Sequence, residues 1–130
     1  MTIRVALKDP FYQLAIAVGL VALLGVGSDM AQEYVTALLL DLSSGLEDDK
    51  TNRIAIANAG PFKMLVQQLR SDSLKVKMLA AAVMSKLSGD SDDNVAQIAK
   101  ANGVKPLVML LNAEDPETQH HVAVVLADMA

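Results

Sequence analysis

The side chains that could bind a metal ion or a phosphate in this chain have spacings that suit neither role. His120 and His121 are adjacent, so on a helix they diverge by about 100° and cannot chelate one metal ion well. The segment 25–28, Gly-Val-Gly-Ser, is similar to part of a phosphate loop, but no lysine follows at the required position. We therefore predict surface histidines and an interhelical turn at these two places.

A second candidate, a calcium site, depends on three polar residues. Asp90, Asp92 and Asn94 are spaced like the start of a calcium-binding loop. However, Val95 stands where that loop has its turn glycine, and Ala101 where it has its bidentate glutamate. Helix capping explains the acidic residues better, and nothing in the spacing of Ser, His and Asp indicates a catalytic triad. We predict a protein that is not an enzyme and needs no metal or cofactor.

Composition narrows the class of protein further. Fifteen acidic and 11 basic side chains give a formal net charge of −4, and no run of Lys or Arg could follow a phosphate backbone, so we expect no nucleic-acid partner. The chain has no cysteine, which excludes disulfides and thiolate chemistry and fits a cytoplasmic or nuclear protein. Aromatic residues make up only 3%, so Ala, Leu, Val and Met must form the core, as in closely packed helices.

The apolar segment from Phe11 to Val26 raises the question of a membrane span. It is shorter than the ~20 residues that a spanning helix needs, and it contains Gly19 and Gly25. It also lacks a strongly basic flank that would orient it. We expect a core helix here and no membrane partner.

An internal repeat indicates the fold. Residues 52–69 resemble residues 94–111; Gly60 and Gly103 are 43 positions apart, whereas Leu65 and Leu107 are 42 apart, which suggests a one-residue deletion in the second copy. A period of about 40 to 47 residues is typical of helical solenoids. Each unit cannot cover its own apolar face, so the units stack and present a shared surface.

Capping residues divide each unit into helices. In chain order, the predicted amino-terminal caps are Asp9, Ser28-Asp29, Asp48, Asp49 and Thr51, Ser71–Ser73, Asp92 and Asp93, and Asp115. Glycines at positions 60 and 103 are predicted to end the first helices of the two full units. A third, degraded copy fits residues 10–45 with an offset of 45, and it leaves too few residues before it for a full first helix.

These segments resemble the armadillo repeat family, whose units have three helices. The matching segments are Asn58–Gly60, Leu65–Leu69 and Ala80–Leu87 in one copy, and Asn102-Gly103, Leu107–Leu111 and Val122–Met129 in the other. HEAT repeats, with two helices per unit, are the nearest competitor, and the two glycine corners favour the three-helix form. We predict an all-α, right-handed α-solenoid of armadillo-type repeats in one domain, 1–130, with a partial repeat at about 10–45 and repeats at 46–89 and 90–130, and we expect it to be a fragment of a longer array.

The resemblance implies a function for the third helices. In this family they line a groove where asparagines bind the backbone of an extended peptide and tryptophans pack on its side chains. Both sets of residues are replaced here: the asparagine positions hold Asp41, Lys86 and Asp128, and the tryptophan positions hold Ala37, Ala82 and Val124. The resemblance therefore implies a protein or peptide partner without implying the usual way of holding it.

We predict that this groove binds its partner through alternating charge. Its predicted lining is Tyr34, Ala37 and Asp41 from unit 1, Lys75, Leu79, Ala82 and Lys86 from unit 2, and Glu117, His121, Val124 and Asp128 from unit 3. The alternative is that these are ordinary solvated positions.

A second functional hypothesis places the working surface at the ends of the solenoid. Apolar residues at the amino end, namely Phe11, Leu14, Ile16 and Leu20, are predicted to be exposed and to support self-association as a homo-oligomer. The protein would then be a structural self-assembly module.

Overall fold

The computed structural model describes Thr2, residues 9–44 and residues 50–130, and this part of the chain contains α-helices and no strand. Unit 1 comprises α1 (Pro10–Ala22) and α2 (Asp29–Ser43); unit 2 comprises α3 (Lys50–Asn58), α4 (Phe62–Gln68) and α5 (Leu74–Ser88); unit 3 comprises α6 (Asp92–Lys100), α7 (Val104–Leu110) and α8 (Pro116–Met129). The prediction of an all-α repeat fold is confirmed.

Units 2 and 3 share one uninterrupted register. Each helix of unit 3 begins 42 residues after its counterpart, at Asp92, Val104 and Pro116 against Lys50, Phe62 and Leu74. The predicted one-residue deletion is therefore wrong, and Gly60 corresponds to Asn102 rather than to Gly103.

The two corners confirm this correspondence through their backbone angles. Gly60 has φ +76° and Asn102 has φ +64°, so both occupy the left-handed region that ends a helix. Gly103 is a glycine for another reason, because a Cβ there would lie 2.9 Å from the Ile98 carbonyl oxygen and 3.1 Å from a methyl carbon of Val66. Gly60 is needed for its left-handed backbone conformation, whereas Gly103 is needed because a side chain would not fit there.

Serine and aspartate caps start most of the longer helices. Ser28 Oγ accepts a hydrogen bond from the Ala31 N–H at 3.2 Å, and Ser73 and Asp115 cap α5 and α8 in the same way, as predicted. The cap of α6 is Ser91, which accepts from the Asn94 N–H at 3.1 Å, so the prediction of Asp92 and Asp93 is wrong. Both acids lie in the first turn of α6 instead, where their negative charges interact favourably with the positive end of the helix dipole. Thr51 lies inside α3, and Asp48 and Asp49 lie outside the described residues.

The core is built around the third helices. α5 packs between α2 and α8, and nine of its 15 residues are buried. Leu39, Leu65, Met84, Leu107 and Val125 are fully buried in one continuous cluster that runs through all three units. Of the 15 residues of α5, only Leu74, Lys75 and Lys86 are exposed.

Buried asparagines join each unit to the preceding one. Asn52 Nδ2 donates to the Leu42 carbonyl at 3.3 Å, and Asn94 Nδ2 donates to the Leu87 carbonyl at 2.8 Å. Both asparagines are buried, and both acceptors lie at the end of a third helix. We call the contact between units 1 and 2 the first junction and that between units 2 and 3 the second junction.

The apolar segment near the amino end forms part of the core. α1 has 13 residues, and Ala17, Val21 and Leu24 in this region are buried. The segment then turns before α2, as predicted for residues 25–28. Among the described helices, none combines the length and the hydrophobicity that crossing a membrane would require.

Candidate partner-binding face

The predicted groove residues lie on three neighbouring helices, α2, α5 and α8. We call their exposed and half-buried side chains the third-helix face: Tyr34, Ala37, Asp41, Lys75, Lys86, Glu117, His121, Val124 and Asp128. Leu79 and Ala82 are 5% and 0% exposed, so their assignment to the groove surface is wrong. Because α5 is flanked by helices on both sides, these two positions are filled by core packing.

Hydrogen bonds fix the part of this face that spans the second junction. Ser88 Oγ donates to Asp128 Oδ2 at 2.6 Å, which ties the end of α8 to the end of α5. Ser85 Oγ lies 3.4 Å from His121 Nδ1 and donates to the Ala82 carbonyl at 2.6 Å. The Asp128 carboxylate is therefore held in place before any partner arrives.

The charges of the third-helix face follow a simple order. Burial lowers the pKa of His121, and electrostatic repulsion from His120 and Lys86 lowers it further. His121 is then neutral at pH 7, because its ordinary pKa of about 6.5 already lies below that. The face thus carries Asp41 on α2, two lysines on α5, and Glu117 and Asp128 on α8.

An apolar patch at the amino ends of α2 and α5 adjoins these charges. Tyr34 and Leu74 are 73% and 75% exposed, and Met30 lies one turn before Tyr34 on the same face of α2. Ser73 Oγ donates to Glu33 Oε1 at 3.3 Å, which brings the start of α5 against the first turns of α2. Sequence reasoning missed Leu74; its signal is an apolar residue directly after a capping serine and outside the inward stripe of α5.

The residues predicted to support self-association are not freely exposed where the structure describes them. Ile16 and Leu20 are half-buried against the core, so they are not freely exposed, and the side chains of Phe11 and Leu14 lie outside the described residues. At the opposite end of the solenoid, Val108 is 49% exposed, whereas its counterpart Val66 is 1% exposed beneath unit 3. Exposed apolar side chains are therefore found in both unit 1, at Val18 and Leu23, and unit 3, at Val108.

The described residues contain no cluster of three or more His, Asp or Glu side chains that could hold a metal ion. His120 and His121 have ring centroids 5.6 Å apart at an angle of 62°, so the two rings do not converge on a common point. The third-helix face presents charged and apolar side chains.

Comparison with known proteins gives consistent results. The family model described as "Armadillo/beta-catenin-like repeat" matches residues 91–130. Armadillo repeat-containing protein 3 of Homo sapiens is 29% identical over 124 residues, 92% of this chain, and U-box domain-containing protein 3 of Arabidopsis thaliana is 36% identical over 66 residues, 51% of this chain. The chain spans 13% and 9% of the length of these two relatives.

Solved structures with the same architecture include engineered proteins. One engineered protein is 30% identical with a TM-score of 0.76, over 87% of this chain and 44% of its own. A designed armadillo repeat protein in complex with the peptide (KR)4 has a TM-score of 0.74 at 18% identity, over 89% of this chain and 47% of its own.

Proposed function

Since this chain belongs to the armadillo repeat family, we propose that it is a non-catalytic scaffold that binds an extended segment of a partner protein along its third-helix face. The observation that carries this proposal is the adjacency on α2 and α5 of a highly exposed apolar patch and a row of charged side chains. Exposed apolar surface rimmed by charges is typical of protein interaction sites. The designed repeat protein that is in complex with (KR)4 supports the same use of the fold.

The charge order specifies the partner segment. Lys75 and Lys86 lie on the middle helix, between Asp41 on α2 and Asp128 on α8. We expect a segment with an acidic centre, a basic residue on each side and an apolar residue for the patch at Tyr34, Met30 and Leu74. Recognition would depend on side chains, because the family's asparagine ladder is absent from this face.

A peptide selection tests this proposal. Extended peptides would be selected against the whole chain, and the best binder measured by fluorescence anisotropy. Tyr34→Ala and Lys86→Glu should each weaken binding by about tenfold, since each removes one of the two recognition elements. Lys100→Glu is the matched control, because it reverses a charge on the exposed end of α6 and should leave binding unchanged. Selected peptides that bind all three variants equally would contradict the proposal.

The alternative function is self-assembly through the apolar end of unit 3. Val108 and Leu111 are exposed there, whereas their counterparts Val66 and Leu69 are buried in the second junction. A second copy of the chain could cover these side chains as unit 3 covers unit 2. Under this alternative, light scattering shows a dimer or larger species at micromolar concentration, and Val108→Glu with Leu111→Glu converts it to a monomer. A wild-type monomer at that concentration contradicts it.

The absence of cysteine also supports a reducing compartment. We accordingly propose the cytoplasm or the nucleus as the site of action.

A further inference from the structure

Two cavities occupy equivalent places at the two junctions. The cavity at the first junction has a volume of about 340 Å³ and is lined in part by Gly25, Gln32 and Gln67. The one at the second junction has a volume of about 590 Å³ and is lined in part by Arg70, Lys77 and Met109. These residues correspond pairwise through the repeat: Gly25 with Arg70, Gln32 with Lys77, and Gln67 with Met109. The stacking of the units therefore creates a crevice at both junctions, but the residues that line it differ from one junction to the other.

The first cavity has a mixed polar lining, and its residue Gln68 is hydrogen-bonded to a buried neighbour outside the lining. Gln68 Nε2 donates to Thr36 Oγ1 at 3.0 Å, and both side chains are buried. The remaining lining includes Asp29 and Asp72 beside Arg70, so charges of both signs are present. Nothing in this lining favours a ligand of one charge.

The second cavity has a different character. Arg70, Lys77 and Lys105 surround it, and no acidic side chain is found among the described residues that line it. In the described part of the chain none of these three cations forms an ion pair. The apolar part of the lining is Leu69, Leu110 and Met109, and the Met109 side chain is highly exposed. Three cations around an apolar floor, of which Arg70 also borders the first cavity with Asp29 and Asp72, are unexpected in a chain whose net charge is −4.

We propose that the second-junction cavity binds an acidic peptide segment, with an apolar side chain on Met109 and Leu110 and flanking carboxylates on Arg70, Lys77 and Lys105. Arginine binds a carboxylate through two parallel hydrogen bonds, and lysine binds it as a point charge. This site is separate from the third-helix face: Lys77 follows Lys75 by two positions and so lies about 200° away around α5. The inference goes beyond the function proposed above and does not depend on it.

A peptide fits this cavity better than a nucleic acid does. No aromatic side chain is found among its described lining residues, so bases would have nothing to stack on. Three cations also provide few phosphate contacts, and the overall negative charge of the chain opposes a polyanion. The apolar floor, by contrast, is of use only to a ligand with apolar side chains.

The test uses a short labelled peptide of alternating Glu and Leu, titrated into the whole chain carrying ¹³C-methyl methionine. We expect the Met109 methyl resonance, assigned with Met109→Leu, to shift on binding, because Met109 lies in the site. The triple variant Arg70→Gln, Lys77→Gln, Lys105→Gln should weaken binding about tenfold, since each exposed ion pair contributes a few-fold to affinity. Lys77→Gln alone, which installs the residue of the first junction, should weaken it by roughly threefold.

Matched controls separate site binding from general attraction. The variant Lys50→Gln, Lys63→Gln, Lys100→Gln removes three exposed charges outside both this cavity and the third-helix face and should leave the affinity nearly unchanged. Peptides of alternating Lys and Leu, or of alternating Glu and Ser, should bind at least about tenfold more weakly. The first lacks the carboxylates and the second lacks the apolar side chains. The proposal is overturned by an unmoved Met109 resonance, by equal weakening in both triple variants, or by a single-stranded oligonucleotide that binds as tightly as the peptide. None of these results bears on Tyr34 or Asp128.

Discussion

The first and second junctions have the same backbone arrangement and different side-chain chemistry. In both, a buried asparagine donates to a carbonyl at the end of the preceding third helix. The first junction is then closed by the polar pair Thr36 and Gln68, whereas the second has Ala81 and Leu110 at the corresponding positions and leaves cations around its cavity. Stacking thus depends on a few residues, and the positions between them are where the units of this chain differ chemically.

The corners provide the largest expected difference between the junctions. Gly103→Ala should lower the free energy of unfolding by about 3 kcal/mol, because its Cβ would collide with the backbone of Ile98 and with Val66 across the second junction. Gly60→Ala should cost only about 1 kcal/mol, the strain of a left-handed alanine, since a Cβ at Gly60 meets no atom within 4 Å. Urea unfolding of both variants measures the difference. Equal losses of unfolding free energy in the two variants would contradict the different roles assigned to Gly60 and Gly103.

The buried polar pair gives an intermediate effect. Gln68→Leu should cost about 1 to 2 kcal/mol, because it leaves the buried hydroxyl of Thr36 without its partner. Adding Thr36→Val removes that unsatisfied group, so the double variant should recover most of the loss. A double-mutant cycle by urea unfolding checks this. Additive losses would show that Thr36 and Gln68 do not act as a unit. They would also show that apolar residues, as found at these positions in the second junction, cannot replace the pair in the first.

The smallest effect concerns His121, which corresponds to the buried Leu79 of unit 2. Burial lowers its pKa in the folded state, so the unfolded chain takes up the proton more readily. Its contribution to stability is complete above about pH 6.5 and is lost as the pH falls through the lower pKa of the folded state. The change should stay below about 1 kcal/mol because the ring is only partly buried. His121→Leu should flatten the dependence of stability on pH between 7 and about 5, with His120→Leu as the adjacent control; an identical profile for wild type and His121→Leu would remove His121 from this account.

The helices could be predicted from the sequence, but the contacts between units could not. Helical spacing and the caps at Ser28, Ser73 and Asp115 predicted the helix order, because these signals act within a few residues of one another. Serine competes with aspartate as a cap over adjacent positions, so the sequence alone did not separate Ser91 from Asp92. Two further errors have a shared cause.

Both of these errors involve contacts across a junction. Gly103 was mistaken for a helix-ending glycine because its need for space comes partly from Val66, in another unit. Ala82 was assigned to the groove because helical spacing gives the direction of a side chain and not the neighbour that covers it. The charged cavity was also invisible in the sequence, since Arg70, Lys77 and Lys105 belong to three separate segments.

The asparagine hydrogen bonds make the solenoid directional. Removal of unit 3 would leave the Leu87 carbonyl still accepting from the Asp90 N–H at 3.2 Å, so no acceptor would be abandoned. Removal of unit 1 would instead take away the Leu42 carbonyl that accepts from the buried side chain of Asn52. The two ends of the array are therefore not equivalent, and urea unfolding of chains shortened from either side measures how far their stabilities differ.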